Sequence, residues 1–129
     1  LASESARFGY PEIERGFVPA MVMTMLKRAV GEKRAFDLVA TGRLLSAQEA
    51  EQCGLVSRVV PEGGFDGAVA AIVAALAGRS VTALALTKQL FTELDGRSFQ
   101  DGILLGARVN ALSRATEDFK RAIAAFLAK

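Results

Sequence analysis

Thr41-Gly42-Arg43-Leu44-Leu45-Ser46-Ala47-Gln48-Glu49-Ala50, taken up again by Gly54-Leu55-Val56-Ser57-Arg58-Val59-Val60-Pro61, is the stretch whose reading decides the fold. Gly42 closes a helical pattern running from about Glu32, in which Ala35, Phe36, Leu38 and Val39 form an apolar face. A glycine there suits a left-handed C-terminal cap. Ser46 and Glu49 then make a capping box, in which the hydroxyl and the carboxylate each accept an N–H that a helix start leaves over. Gly54 falls where a second left-handed cap is needed, and Leu55 can supply its hydrophobic contact. Val56 to Val60 reads as a strand ended by Pro61.

Towards the amino terminus, Ala6 to Gly9 reads as a short strand and Tyr10 to Gly16 as a loop, marked by Pro11 and Gly16. Leu1-Ala2-Ser3 reads like the tail of a further strand. With Leu in first place, it suggests part of a longer or processed chain. Pro19 suits the first turn of a helix, and Met21, Met25, Leu26 and Ala29 recur at helical spacing until Gly31. Towards the carboxy terminus, Glu62-Gly63-Gly64 is a turn, and Phe65 to about Ala77 is helical. Ser80, Ser98 and Thr116 are caps for three further helices, with turns at Gly78 and Asp95-Gly96. Glu117 and Asp118 place negative charge in the last helix's first turn, and Phe119, Ile123 and Phe126 mark its expected buried stripe. The expected fold is mainly α, about seven helices, with two short strands. Two strands make a poor sheet alone, so they are expected to pair with sequence outside this chain or across chains.

The 129 residues are 51% hydrophobic but only 7% aromatic, so Ala, Val and Leu carry the apolar content and favour close helix packing. Sixteen basic and 14 acidic residues are interspersed, for a net charge of +2. No basic run marks a nucleic-acid footprint. No apolar run reaches the roughly 18 residues of a membrane helix, and no signal peptide is visible. The single cysteine, Cys53, excludes an internal disulfide and fits a reducing, cytoplasmic setting. With no histidine, Ser-His-Asp and Cys-His catalysis are excluded. With one cysteine besides, so are the usual zinc sites, and no metal or cofactor is expected. Proton transfer then falls to carboxylates, Lys, Tyr or backbone groups.

Two segments are candidates for chemistry. Glu12 follows Pro11 on a rigid loop between Phe8 and Ile13, and a carboxylate partly desolvated there is suited to proton transfer. Spacing alone favours the plainer reading, a surface glutamate after a turn proline. Gly16-Phe17-Val18-Pro19-Ala20-Met21-Val22-Met23 joins a loop to an apolar helix start. Helix N–H groups can orient a water or an anion there, and the methionines can line an acyl pocket, although core packing is the ordinary role for methionines at this spacing. Gly63-Gly64 lacks the spacing of a phosphate loop. The pairs Lys27-Arg28 and Lys33-Arg34 read as solvated faces, and Cys53 as structural.

The segment Ala2 to Ile13 resembles the part of the enoyl-CoA hydratase/isomerase (crotonase) family in which a core strand leads into a loop bearing a catalytic glutamate. Gly16-Phe17-Val18-Pro19 looks like its continuation, Thr41–Ala50 and Gly54–Pro61 are similar to the family's most legible carboxy-terminal stretch, and Ala115–Asp118 with Ala125–Lys129 resembles its last helix. The resemblance implies a parent α/β crotonase-like spiral with a carboxy-terminal helical trimerisation region. Residues 1–61 would be the end of the core and residues 62–129 the oligomerisation region. It implies an acyl-CoA thioester as substrate, an oxyanion hole of two backbone N–H groups, and two glutamates that add water across a 2,3 double bond. Glu12 matches the glutamate that protonates the α carbon. Ala20 matches a glycine at a helix start near the water, and Phe126 and Lys129 match positions that approach the CoA nucleotide. An aromatic that some members place against adenine falls at Asn110, and the family's Gly-Ala-Gly-Gly is Ala20-Met21-Val22-Met23 here. The oxyanion-hole segments and the other glutamate belong to the family's amino-terminal part, so this chain alone is expected to be inactive. A homo-oligomer, trimer or dimer of trimers, is implied. The alternatives are an isomerase or a non-catalytic oligomerisation module.

Overall fold

The structure is a computed structural model that describes residues 1–128. Its contacts divide the chain into two compact units, Leu1–Ala71 and Ile72–Lys129. The elements in order are β1 (Ala2–Ser3), β2 (Arg7–Phe8), a 3-10 helix at Pro11–Arg15, α1 (Ala20–Val30), α2 (Glu32–Thr41), β3 (Leu45–Ser46), α3 (Ala47–Gln52), β4 (Val59–Val60), a 3-10 helix at Glu62–Gly64, α4 (Phe65–Ala77), α5 (Val81–Glu93), α6 (Phe99–Arg114) and α7 (Glu117–Leu127). The architecture is mainly helical, as expected. The strands differ from expectation. Among the described residues there are four, of two residues each, and they pair within the chain: β1 runs parallel to β4 (Ala2↔Val59, Ser3↔Val60) and β2 antiparallel to β3 (Arg7↔Ser46, Phe8↔Leu45).

The first unit is built around the α1–α2 hairpin, which turns at Gly31 with φ +78. Leu26, Ala35, Leu38, Val39, Leu45 and Ala50 form its core, with Phe8, Tyr10, Val22 and Cys53 packed around them. The capping box is complete: Ser46 Oγ accepts from the Glu49 N–H at 3.2 Å, and Glu49 Oε2 accepts from the Ser46 N–H at 2.8 Å. The Ser46 N–H first, and then the Ser46 hydroxyl, which donates to Oε2 at 3.0 Å, hold the Glu49 carboxyl below its ordinary value. Side chains also complete the strand ends. Glu51 Oε1 accepts from the Val59 N–H at 2.9 Å, and Glu4 Oε1 from the Glu62 N–H at 3.1 Å. The hydroxyls of Ser3 and Ser5 donate to Glu62, which lowers its carboxyl in turn.

Two expectations about burial fail. Met21 and Met25 are 85% and 74% exposed, because α2 covers only the Leu26 side of α1. On α2, Phe36 is likewise exposed, while Ala35, Leu38 and Val39 are buried.

In the second unit the expected caps are present: Ser80, Ser98 and Thr116 each accept from the backbone N–H three residues on. Ser80 Oγ also donates to Asp118 Oδ2 at 2.6 Å and so joins the starts of α5 and α7. The Ser80 hydroxyl, then the Arg121 guanidinium and Thr82, hold the Asp118 carboxyl down at about 2. The stripe expected to be buried on α7 is not: Phe119 and Ile123 are partly open and Phe126 is 73% exposed. No described residue of this unit is buried, because amphipathic pattern marks an apolar face without supplying its cover.

Candidate active site

Glu12 sits on the 3-10 helix Pro11–Arg15, where the sequence reading has a loop. Proline at the first position costs no hydrogen bond, since that N–H would be unpaired in any case. Gly16, at φ +75, turns the chain out again, and its N–H donates to the Ile13 carbonyl at 3.1 Å. The Phe17 N–H donates to the Glu12 carbonyl at 3.1 Å. The turn that carries Glu12 is therefore closed by two backbone bonds on its far side, and the Glu12 side chain is half-buried. Oε2 is shielded from solvent and has no hydrogen-bond partner among the described residues. A shielded carboxylate oxygen without a donor is costly to keep.

Ala20 opens α1 in the same unit. Its own N–H donates to the Val18 carbonyl at 2.8 Å, and the first helical bond runs from the Met23 N–H to the Pro19 carbonyl at 3.0 Å. The N–H groups of Met21 and Val22, between them, are the first-turn donors that a helix leaves over. Ala20 also lines a groove of about 520 Å³ between α1 and α2, with Val18, Met23, Thr24, Ala35 and Phe36 along it. The Lys27–Glu32 ion pair, at 2.6 Å, lies at the groove, and Lys27 lowers the Glu32 carboxyl. Sequence reading named the methionines but not the groove. Its signal is the 20, 23, 24, 27 helical spacing on α1 facing Ala35 and Phe36 across a glycine turn.

Phe126 belongs to the second unit, near the end of α7, and is exposed. Lys129 lies outside the described residues. The structure thus brings Glu12 and Ala20 into one unit and places Phe126 in the other. Asn110 lies on α6 beside Gly106, Ala107 and Arg114 along a shallow open face. Cys53 Sγ donates to the Ala50 carbonyl at 3.4 Å at the end of α3, a structural role. Among the described residues, no group of His, Cys, Asp or Glu could hold a metal ion, and no single helix is long and apolar enough to cross a membrane.

The family model for enoyl-CoA hydratase/isomerase matches residues 1–129. The chain belongs to this family. It is 46% identical over 129 residues to a putative enoyl-CoA hydratase of Thermus thermophilus, covering 100% of this chain and 51% of that protein. It is 36% identical over 130 residues to the 2,3-dehydroadipyl-CoA hydratase of Escherichia coli, again covering 100% of this chain and 51% of the relative. Among solved structures, the enoyl-CoA hydratase of Mycobacterium smegmatis superposes with a TM-score of 0.93 at 28% identity, over 98% of this chain and 49% of that one. The enoyl-CoA hydratase of Bacillus anthracis gives a TM-score of 0.92 at 30% identity, over 98% and 50%. The chain spans about half the length of the curated relatives it matches. Its crotonase-like fold is shared with full-length hydratases.

Proposed function

We propose that the full-length polypeptide carrying this chain hydrates the 2,3 double bond of an enoyl-CoA thioester, with Glu12 as one of two catalytic carboxylates. The observation that supports this most directly is the shielded, unpartnered Oε2 of Glu12 on a segment held by backbone bonds. In this reaction the Glu12 carboxyl delivers a proton to the α carbon as a water oxygen bonds to the β carbon. The second carboxylate takes the water's proton, and the thioester oxygen carries negative charge in between. Fixed N–H donors stabilise that charge best. Those donors and the second carboxylate are expected outside these 129 residues, so the chain alone should turn over crotonyl-CoA negligibly. Ala20 and the α1–α2 groove would meet the acyl part, and Phe126 and Lys129 the CoA nucleotide.

Glu12→Gln removes the proton donor and almost no volume. In the full-length polypeptide it should lower kcat for crotonyl-CoA hydration by about 10²- to 10⁴-fold, with KM within about threefold. The readout is loss of the enoyl-thioester absorbance, and unchanged turnover would refute the assignment.

A second reading, self-association into a homo-oligomer through the second unit, is favoured by its open apolar side chains. Phe91, Phe99, Phe126 and Leu127 are each exposed by 73% or more, more than a lone soluble unit ordinarily leaves together. Light scattering should give a multiple of the 13.6 kDa chain mass. A monomer at high concentration counts against it.

A further inference from the structure

The segment that carries Glu12 rests on one short connection, Gly42–Leu44, at two points. Just before Pro11, a Cβ on Gly9 would lie 2.5 Å from Leu44 Cδ2 and 3.1 Å from the Arg43 carbonyl oxygen. Leu44 is an exposed side chain whose tip can yield, but the carbonyl cannot. Just after Glu12, a Cβ on the buried Gly42 would lie 3.3 Å from Glu14 Oε1 and 3.4 Å from Ile13 Cγ2. The ladder between β2 and β3 leads the chain into this arrangement, pairing Phe8 with Leu45. The connection is itself tied down. Arg43 bridges Asp37 on α2 and Glu49 on α3, each at 3.3 Å, and the Arg43 N–H donates to Thr41 Oγ1 at 3.4 Å.

We propose that Gly42–Leu44 is the seat that sets where the Glu12 carboxylate stands, with Gly9 and Gly42 as positioning residues. The proposal rests on the reading of Glu12 as proton donor. Backbone meets backbone at Gly9, and at Gly42 the helix end meets the Ile13 and Glu14 side chains within the 3-10 turn. A methyl group at either point asks its neighbours to give by a few tenths of an ångström or more, and Glu12 lies between the two contacts in sequence. Proton transfer to carbon depends steeply on such distances, while the positions proposed for the CoA nucleotide, Phe126 and Lys129, lie elsewhere in the chain.

The test uses the full-length polypeptide. Gly42→Ala should lower kcat for crotonyl-CoA hydration at least about tenfold, with KM within about twofold. Hydrogen exchange at the Gly16 and Phe17 amides, which bond to the Ile13 and Glu12 carbonyls, should quicken. Alanine at φ +63 also strains the backbone, which a purely structural role would explain. The same substitution is therefore made in a Glu14→Ala background, which removes the nearest crowding atoms and leaves the strain. There the loss should shrink to less than about threefold, the coupling expected of groups in contact. Gly9→Ala gives a second variant at the other point, with the same kcat loss expected. An equal loss in both Gly42→Ala backgrounds, or unchanged kcat in both glycine variants, overturns the proposal. Glu12→Gln is measured alongside. If it leaves turnover intact, the catalytic reading fails, and the seat is then judged on exchange alone: unaltered exchange at Gly16 and Phe17 in Gly42→Ala overturns it.

Discussion

Leu26→Ala tests whether the small core of the first unit holds as described. Leu26 is 1% exposed and is the only large side chain fully buried among the described residues. The substitution removes roughly three methyl or methylene groups from that core, at about 0.8 kcal/mol each, or about 2.4 kcal/mol. A cavity adds to this, because Ala35 and Ala50 in the same cluster lack the reach to fill it. Losses of about 3 to 4 kcal/mol are therefore expected. Met25→Ala, at the next position on α1, removes a similar number of heavy atoms from a side chain that is 74% exposed. It should cost about 0.5 kcal/mol or less. Urea unfolding of the chain, followed by far-ultraviolet circular dichroism, separates the two: at a slope of about 1.5 kcal/mol per molar, Leu26→Ala moves the midpoint down by about 2 M. Equal shifts for the two variants, or a Leu26→Ala loss below about 1.5 kcal/mol, would refute the assignment of α1's buried side.

Ser46→Ala removes the acceptor for the Glu49 N–H and should cost about 1 kcal/mol in the same unfolding assay; no measurable loss would mean that the capping box is not formed in solution. Asp118 supplies a pH dependence. Its folded value, about 2, lies below the ordinary 3.8, so its contribution to stability is present above pH 4 and is lost as pH falls through the window down to about 2. Asp118→Asn should flatten the melting temperature across that window relative to the parent chain. An unchanged profile would contradict the Ser80–Asp118 link.

What was legible in the sequence was local. Ser46, Ser80, Ser98 and Thr116 announce helix starts because a cap and its N–H partner lie three residues apart. The strands were poorly legible because two residues carry no alternation, and β1 finds its partner β4 more than fifty residues away. The turn at Pro11–Arg15 read as a loop because Pro11 and Gly16 are breakers, yet both are compatible with the ends of a short 3-10 helix. Phe36, Met21 and the α7 stripe show the remaining gap: periodicity says which side is apolar, and only contacts say whether anything covers it. Glu12 was picked out by resemblance, since its spacing alone favours a surface glutamate. The shielding of Oε2 depends on packing that no local pattern records.

The open second unit has a calorimetric consequence. Ordinary domains absorb about 12–15 cal/mol/K per residue on unfolding, because melting wets apolar surface that was dry. From Ile72 to Ala128 no described residue is fully buried, so less of that surface is dry at the outset than in an ordinary domain. The heat-capacity step of this unit, taken alone, is correspondingly shallow, and its transition broad rather than sharp.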